Sequence, residues 1–228
     1  PQAFIAIEDR RFYTHAGIDP IGIGRALLRN VLRAGGGVQG GSTLTQQLAK
    51  NLFLTQERTA SRKIQEAILA LWLERKYTKN EILELYLNRV YFGSGAYGVE
   101  GAAQKYFGKS AREVTIAEAA ILGGLVQSPS RLAPNRNPDA AHARAALVLA
   151  AMQREGFITD TQMKEALAHP ADAQKSKTAN SVLYAADHVM DKLDDLIGAI
   201  DGDLIVTTTL NPMMQAAAEK ALTEELQN

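Results

Sequence analysis

The stretch Thr78-Lys79-Asn80-Glu81-Ile82-Leu83-Glu84-Leu85-Tyr86-Leu87 sets the local pattern of the chain. A threonine followed three residues later by a glutamate is a capping box, which satisfies N–H groups that a helix leaves open at its start. Behind it Ile82, Leu83, Leu85, Tyr86 and Leu87 recur at helical spacing. The same signal returns at Ser110 with Glu113 and at Thr115 with Glu118, ahead of residues 119–126. It appears again at Thr159 with Gln162, where Ile158 and Met163 are placed as a hydrophobic staple. Turns rich in Gly and Pro at 35–41, 92–98 and 128–138 separate these segments. No internal repeat interrupts them. The pattern predicts a mainly α domain over residues 1–170.

From about Pro170 the character changes, and residues 171–228 read as a linker and the start of another module. Residues 171–180 are small and polar, as in a loop. Residues 182–196 return to helical spacing. Residues 203–209, rich in β-branched side chains, are the best strand candidate in the chain. Asn211-Pro212 reads as N-cap and first residue of a closing helix over 213–226.

At 228 residues and 46% apolar composition, the chain is long enough for one sizeable core with an appendage. Lys+Arg and Asp+Glu both number 25, so no basic excess points to nucleic acid. The absence of cysteine excludes disulfides, thiol catalysis and Cys-ligated metals. No apolar run reaches the ~18 residues that a membrane span needs. The sequence opens at Pro1 inside a pattern and reads as an excised piece.

Four segments can carry chemistry. In the first, Glu8-Asp9-Arg10-Arg11 breaks an apolar run. If the run is helical, Phe4, Glu8 and Phe12 share a face at i, i+4 and i+8. A carboxylate between two rings loses water, and its pKa rises towards that of a general base. The plain alternative is an exposed Glu8 paired with an arginine. His15 nearby reads as a structural or hydrogen-bonding histidine, since nothing around it has metal-ligand spacing.

In the second, over residues 61–76, an all-apolar run at 67–73 predicts a helix buried in the domain centre. Glu66 lies at its edge beside Arg62 and Lys63, where an ordinary i, i+4 salt bridge is the competing account. The third runs Gly40-Gly41-Ser42-Thr43-Leu44-Thr45-Gln46-Gln47-Leu48-Ala49-Lys50. Glycines lead into a Ser/Thr cap, so the helix start can gather amides around an anion. Lys50, Arg58, Arg62 and Lys63 add cations suited to phosphate oxygens. A capped surface helix with solvated bases explains the composition equally well. The fourth, residues 18–35, is basic and amphipathic. It suits either an anionic membrane interface or an ordinary solvated helix face.

In their order along the chain, residues 8–19, 40–51, 62–66, 79–88, 123–138 and 144–152 resemble the peptidoglycan glycosyltransferase (transglycosylase) domain of class A penicillin-binding proteins. The resemblance implies a lysozyme-like, two-lobed helical fold with a cleft and a hydrophobic lobe that touches the membrane. It implies polymerisation of lipid II into a growing glycan strand by inverting glycosyl transfer, with release of polyprenyl pyrophosphate. By motif, Glu8 takes the place of the general base and Glu66 that of a second essential glutamate. Asp9, Ser42, Thr43, Gln46, Gln47, Lys50, Arg58, Arg62 and Lys63 fall on substrate-binding positions. No tightly bound cofactor is expected; magnesium often assists in the family, but no all-protein cage for it is visible here. The implied location is the outer face of the cytoplasmic membrane.

Residues 203–215 resemble the segment leading into a transpeptidase domain. No Ser-x-x-Lys occurs in the chain, so that domain itself is absent. The competing functions are a lysozyme-like glycan-cleaving enzyme and a catalytically silent membrane scaffold.

Overall fold

The computed structural model describes residues 1–25, 41–54, 60–174 and 206–226. Gly40, Arg58, most of the basic stretch at 18–35, the helix expected at 182–196 and the first residues of the strand candidate lie outside them. Contacts divide the chain into two units, Pro1–Gln174 and Lys175–Asn228.

In the first unit the helices are α1 (Gln2–Glu8), α2 (Leu44–Phe53), α3 (Ala60–Lys76), α4 (Lys79–Arg89), α5 (Gly98–Phe107), α6 (Ile116–Leu125), α7 (Pro138–Arg154) and α8 (Asp160–Ala168). The predicted helical class is what the described residues adopt. Capping boxes form at Thr78/Glu81, Thr115/Glu118 and Thr159/Gln162 as their spacing dictates, and a further one forms at Thr43/Gln46. Ser110 opens no helix. Its hydroxyl donates to Glu100 and its carbonyl accepts from Glu113 N–H, which closes a turn instead.

Helix α1 is short and almost wholly buried, wedged against α6 and α7 on one side of the core. Helices α2, α3 and α4 pack on one another, and α4 continues to α5. One core joins them, with Phe4, Phe12, Leu44, Leu48, Ile82, Tyr86, Phe92 and Tyr106 at or near zero exposure. Phe4 of α1 meets both Tyr86 and Phe92 edge-on, at centroid distances of 6.4 and 5.8 Å. Such pairs add about 0.5–1.5 kcal/mol beyond area burial.

Two expectations need correction. Helix α1 ends at Glu8, so Phe12 is not its third face residue. Asp9 takes φ −154°, and the chain turns through residues 10–14. Both rings are still buried, but Glu8 is not sandwiched between them on a helix. The apolar run in α3 is not buried all round either. Glu66, Ala70 and Leu73 are buried and Leu69 is partly buried against the core, while Ile64, Ile68, Leu71 and Trp72 are 43–63% exposed. Among the described helices α3 packs mainly against α2 and α4, and these four side chains stay exposed. Phe53 of α2 joins that surface by an edge contact with Trp72.

In the second unit, helix α9 (Pro212–Leu226) follows the predicted cap: Asn211 Oδ1 accepts from Met213 and Met214 N–H. Residues 206–210 are exposed and form no strand. A strand needs a neighbour for its backbone groups, and none pairs here among the described residues.

Gly17 fixes the segment after α1 against α3. Its φ is +87°, and a Cβ there would lie 2.9 Å from Ala70 O. Its carbonyl also accepts from Thr43 Oγ1 at 2.6 Å. Gly17→Ala is expected to cost about 2–4 kcal/mol, from left-handed strain plus overpacking. A thermal melt would show the loss, and an unchanged midpoint would contradict this account.

Candidate active site

Asp9 organises the site although its own side chain is buried. His15 Nδ1 accepts from Gly17 N–H, so Nε2 carries the proton and donates to the Asp9 carboxylate at 2.9 and 3.0 Å. Asp9 Oδ2 also accepts from Leu44 N–H, the first amide of α2, at 2.9 Å. The anion expected at the α2 start is thus supplied by the protein itself. A carboxylate there is favoured by both the open amides and the helix dipole. The histidine is a hydrogen-bonding one, as the sequence predicted.

Glu8 is the last residue of α1, with 17% of its side chain accessible. Gln47 Nε2 donates to Glu8 Oε2 at 3.0 Å, and Arg144 Nη2 lies 3.9 Å from Oε1. Burial pushes the Glu8 carboxyl above the usual carboxylate range; the Gln47 hydrogen bond and the Arg144 charge pull more weakly the other way. Desolvation therefore wins, although the two-ring arrangement behind that expectation is absent. The neighbouring arginines do not serve Glu8: Arg10 is 3.7 Å from Glu155, and Arg11 3.5 Å from Asp19.

The second carboxylate is more deeply enclosed. Glu66 is 3% exposed, with Arg62 Nε at 3.1 Å from Oε1 and Lys63 Nζ at 2.6 Å from Oε2. Lys63 Nζ also donates to Ser42 Oγ at 2.6 Å. Ser42 lines an open cleft together with Glu8, Asp9, Thr43, Asp19, Arg25 and Arg154. Glu8 thus lines this cleft directly, and the Glu66 cluster touches its wall through the Lys63–Ser42 hydrogen bond.

The remaining candidates separate by environment. Thr43 and Gln46 are buried in the α2 capping box. Gln47 serves Glu8, and Lys50 is exposed and within electrostatic reach of it. Arg58 is outside the described residues. Two contributors escaped the sequence reading. Arg144 and Tyr86 both lie in segments that carry the resemblance, and nothing in their spacing assigns either a role beside Glu8. Gly124 is the hint for the first, since a Cβ there would sit 2.8 Å from Arg144 Cγ.

A transglycosylase family profile matches residues 1–153. The chain belongs to the transglycosylase family. It is 49% identical over 226 residues to penicillin-binding protein 1A of Aquifex aeolicus, covering 98% of this chain and 31% of that protein. Penicillin-binding protein 1A of Rickettsia prowazekii is 41% identical over 99% of this chain and 30% of its own length. Penicillin-binding protein 1A/1B of Bacillus subtilis is 43% identical over 91% of this chain and 24% of its own length. The chain thus spans under a third of these relatives. A crystal structure of penicillin-binding protein 1A from Haemophilus influenzae shares 29% identity at a TM-score of 0.42, over 68% of this chain and 20% of that one. Family membership makes this domain a peptidoglycan glycosyltransferase of the class A penicillin-binding type.

Asp9→Ala strips the acceptor from both His15 and Leu44 N–H. The expected loss is about 2–5 kcal/mol, from two buried donors left unpaired. Urea unfolding measures it; a loss below about 1 kcal/mol would mean that Asp9 holds nothing together.

Proposed function

We propose that this domain polymerises lipid II, with Glu8 as the general base. Glu8 takes the proton from the acceptor 4-hydroxyl as that oxygen bonds to the donor C1. The bond from C1 to the pyrophosphate breaks on the opposite face, which inverts the anomeric centre, and polyprenyl pyrophosphate leaves. The observation that carries this reading is a desolvated carboxylate on a cleft whose Ser42 is held by Lys63 of a cation cluster. Lys63 and Arg62, gathered by Glu66, would meet the departing charge together with Lys50 and Arg58. Each well-placed donor at such a charge contributes about 3 kcal/mol to the barrier. Ser42 and Thr43 would form the cleft wall, while Asp9 and Gln46 would act by holding α2 in place.

Glu66 would orient its two cations rather than attack sugar. The donor set does not fit a resident magnesium ion. Both Glu66 oxygens already face cations, and among the described residues no three carboxylates or histidines converge.

The exposed apolar side of α3, with Phe53, supports a lobe that rests on the membrane. Among the described residues no helix is long and apolar enough to cross one. The relatives' extra length supports a linked transpeptidase in the parent protein, with the whole placed at the outer face of the cytoplasmic membrane.

Glu8→Gln is expected to lower polymerisation of lipid II by about 10²-fold or more, with binding of lipid II retained. In the unsubstituted domain, activity should fall as pH drops through the raised Glu8 pKa, because only the ionised form accepts the proton. The acidic limb of kcat/KM should therefore lie above the ordinary glutamate range. Long glycan strands on a gel support the reading. Shortened pre-formed glycan would favour a cleaving enzyme, and full activity of Glu8→Gln would remove Glu8 from the chemistry.

A further inference from the structure

Gln47 stands between two shielded oxygen groups. Its Nε2 donates to Glu8 Oε2 at 3.0 Å, and its Oε1 accepts from Tyr86 Oη–H at 3.2 Å. Tyr86, on α4, has no exposed surface, and its ring meets Phe4 of α1 edge-on. Burial, with the Glu8 charge second, holds the phenol well above its usual range, so it remains a donor across working pH. The other charged groups that act on Glu8 are Arg144 of α7, Lys50 of α2 and Asp9 beside it.

From this line of contacts we infer that Tyr86 is a positioning residue which, through Gln47, fixes the face that the cleft presents to the Glu8 carboxylate. The inference rests on Glu8 being the base. A primary amide can turn over, exchanging its donor and acceptor ends. With the oxygen bonded to Tyr86, the NH2 group meets Glu8 and favours its ionised form. Turned over, the amide oxygen would meet Glu8 and accept from its protonated form. The phenol hydroxyl favours the first orientation because a phenol donates to an amide oxygen more strongly than its ring-conjugated oxygen accepts from an amide N–H. Gln47 alone has no such preference once Glu8 takes up a proton.

The phenol does not touch the reacting atoms, and its removal leaves the ring in place. Tyr86→Phe should move the Glu8 titration upwards by about 0.5–1 pH unit, the worth of one hydrogen bond of this kind. The acidic limb of kcat/KM should move with it, and KM should stay within about twofold. In a Gln47→Ala background the same substitution should have no further effect, because the hydroxyl acts only through the amide.

The experiment follows the Glu8 carboxyl by ¹³C NMR, assigned by its loss in Glu8→Gln, in the chain with Tyr86→Phe, Gln47→Ala and both. The same variants are assayed for pH-dependent lipid II polymerisation. An upward shift that vanishes in the double variant supports the inference. A Tyr86→Phe curve that superimposes on the unsubstituted one overturns it. So does a shift that persists unchanged without Gln47, or a Tyr86→Phe chain that does not fold. If the unsubstituted chain makes no polymer while the NMR shift is seen, the assigned reaction fails and the coupling stands.

Discussion

A buried carboxylate joins two segments that lie 35 residues apart, and the rest of the site depends on that join. Asp9 leaves the end of α1 and accepts from the first amide of α2, while His15 holds it from the other side. Burying such a charge without partners would be prohibitive. Its three donor contacts, one to a helix start, make the burial tolerable. The geometry of Glu8 follows, because Glu8 ends α1 one residue earlier and Gln47 lies one turn into α2. If the Asp9 contact opened, base and amide would separate together.

The electrostatics of the two glutamates diverge from this point. Glu8 has one neutral donor and a guanidinium at 3.9 Å, too little to offset the water it has lost. Glu66, more deeply buried, has close cations on both oxygens. One carboxylate is thereby suited to taking a proton and the other to gathering cations. Different surroundings give two roles to one side-chain type, which is how acid–base sites are divided more generally.

Much of this was legible in the sequence because it is local. Capping boxes at Thr78, Thr115 and Thr159 are written within four residues, and the structure reads them directly. The i, i+4 pair of Arg62 and Glu66 is equally local. What the sequence hid is long-range. Nothing near Gln47 announces that its amide spans 39 residues in each direction, to Glu8 and to Tyr86. Nor does periodicity show that an all-apolar stretch of α3 leaves Ile68 and Trp72 outside. A run without polar residues looks the same whether protein or another apolar medium covers it. The α2 start reads in the sequence equally as an anion site or a capped surface helix, and nothing there says that Asp9 fills it.

The entry into α2 has a consequence for how this chain can change. From Ser42 to Gln47 every residue but Gln46 holds a different, distant partner, in turn Lys63, Gly17, Asp9, Glu74 and Glu8, while Gln46 closes the Thr43 cap. One residue inserted into the helix would turn everything beyond it by about 100° and advance it by about 1.5 Å. Several of these contacts would be lost in a single step, whatever residue was added. The register of this segment is thus a requirement of its own, separate from the identity of any single side chain in it.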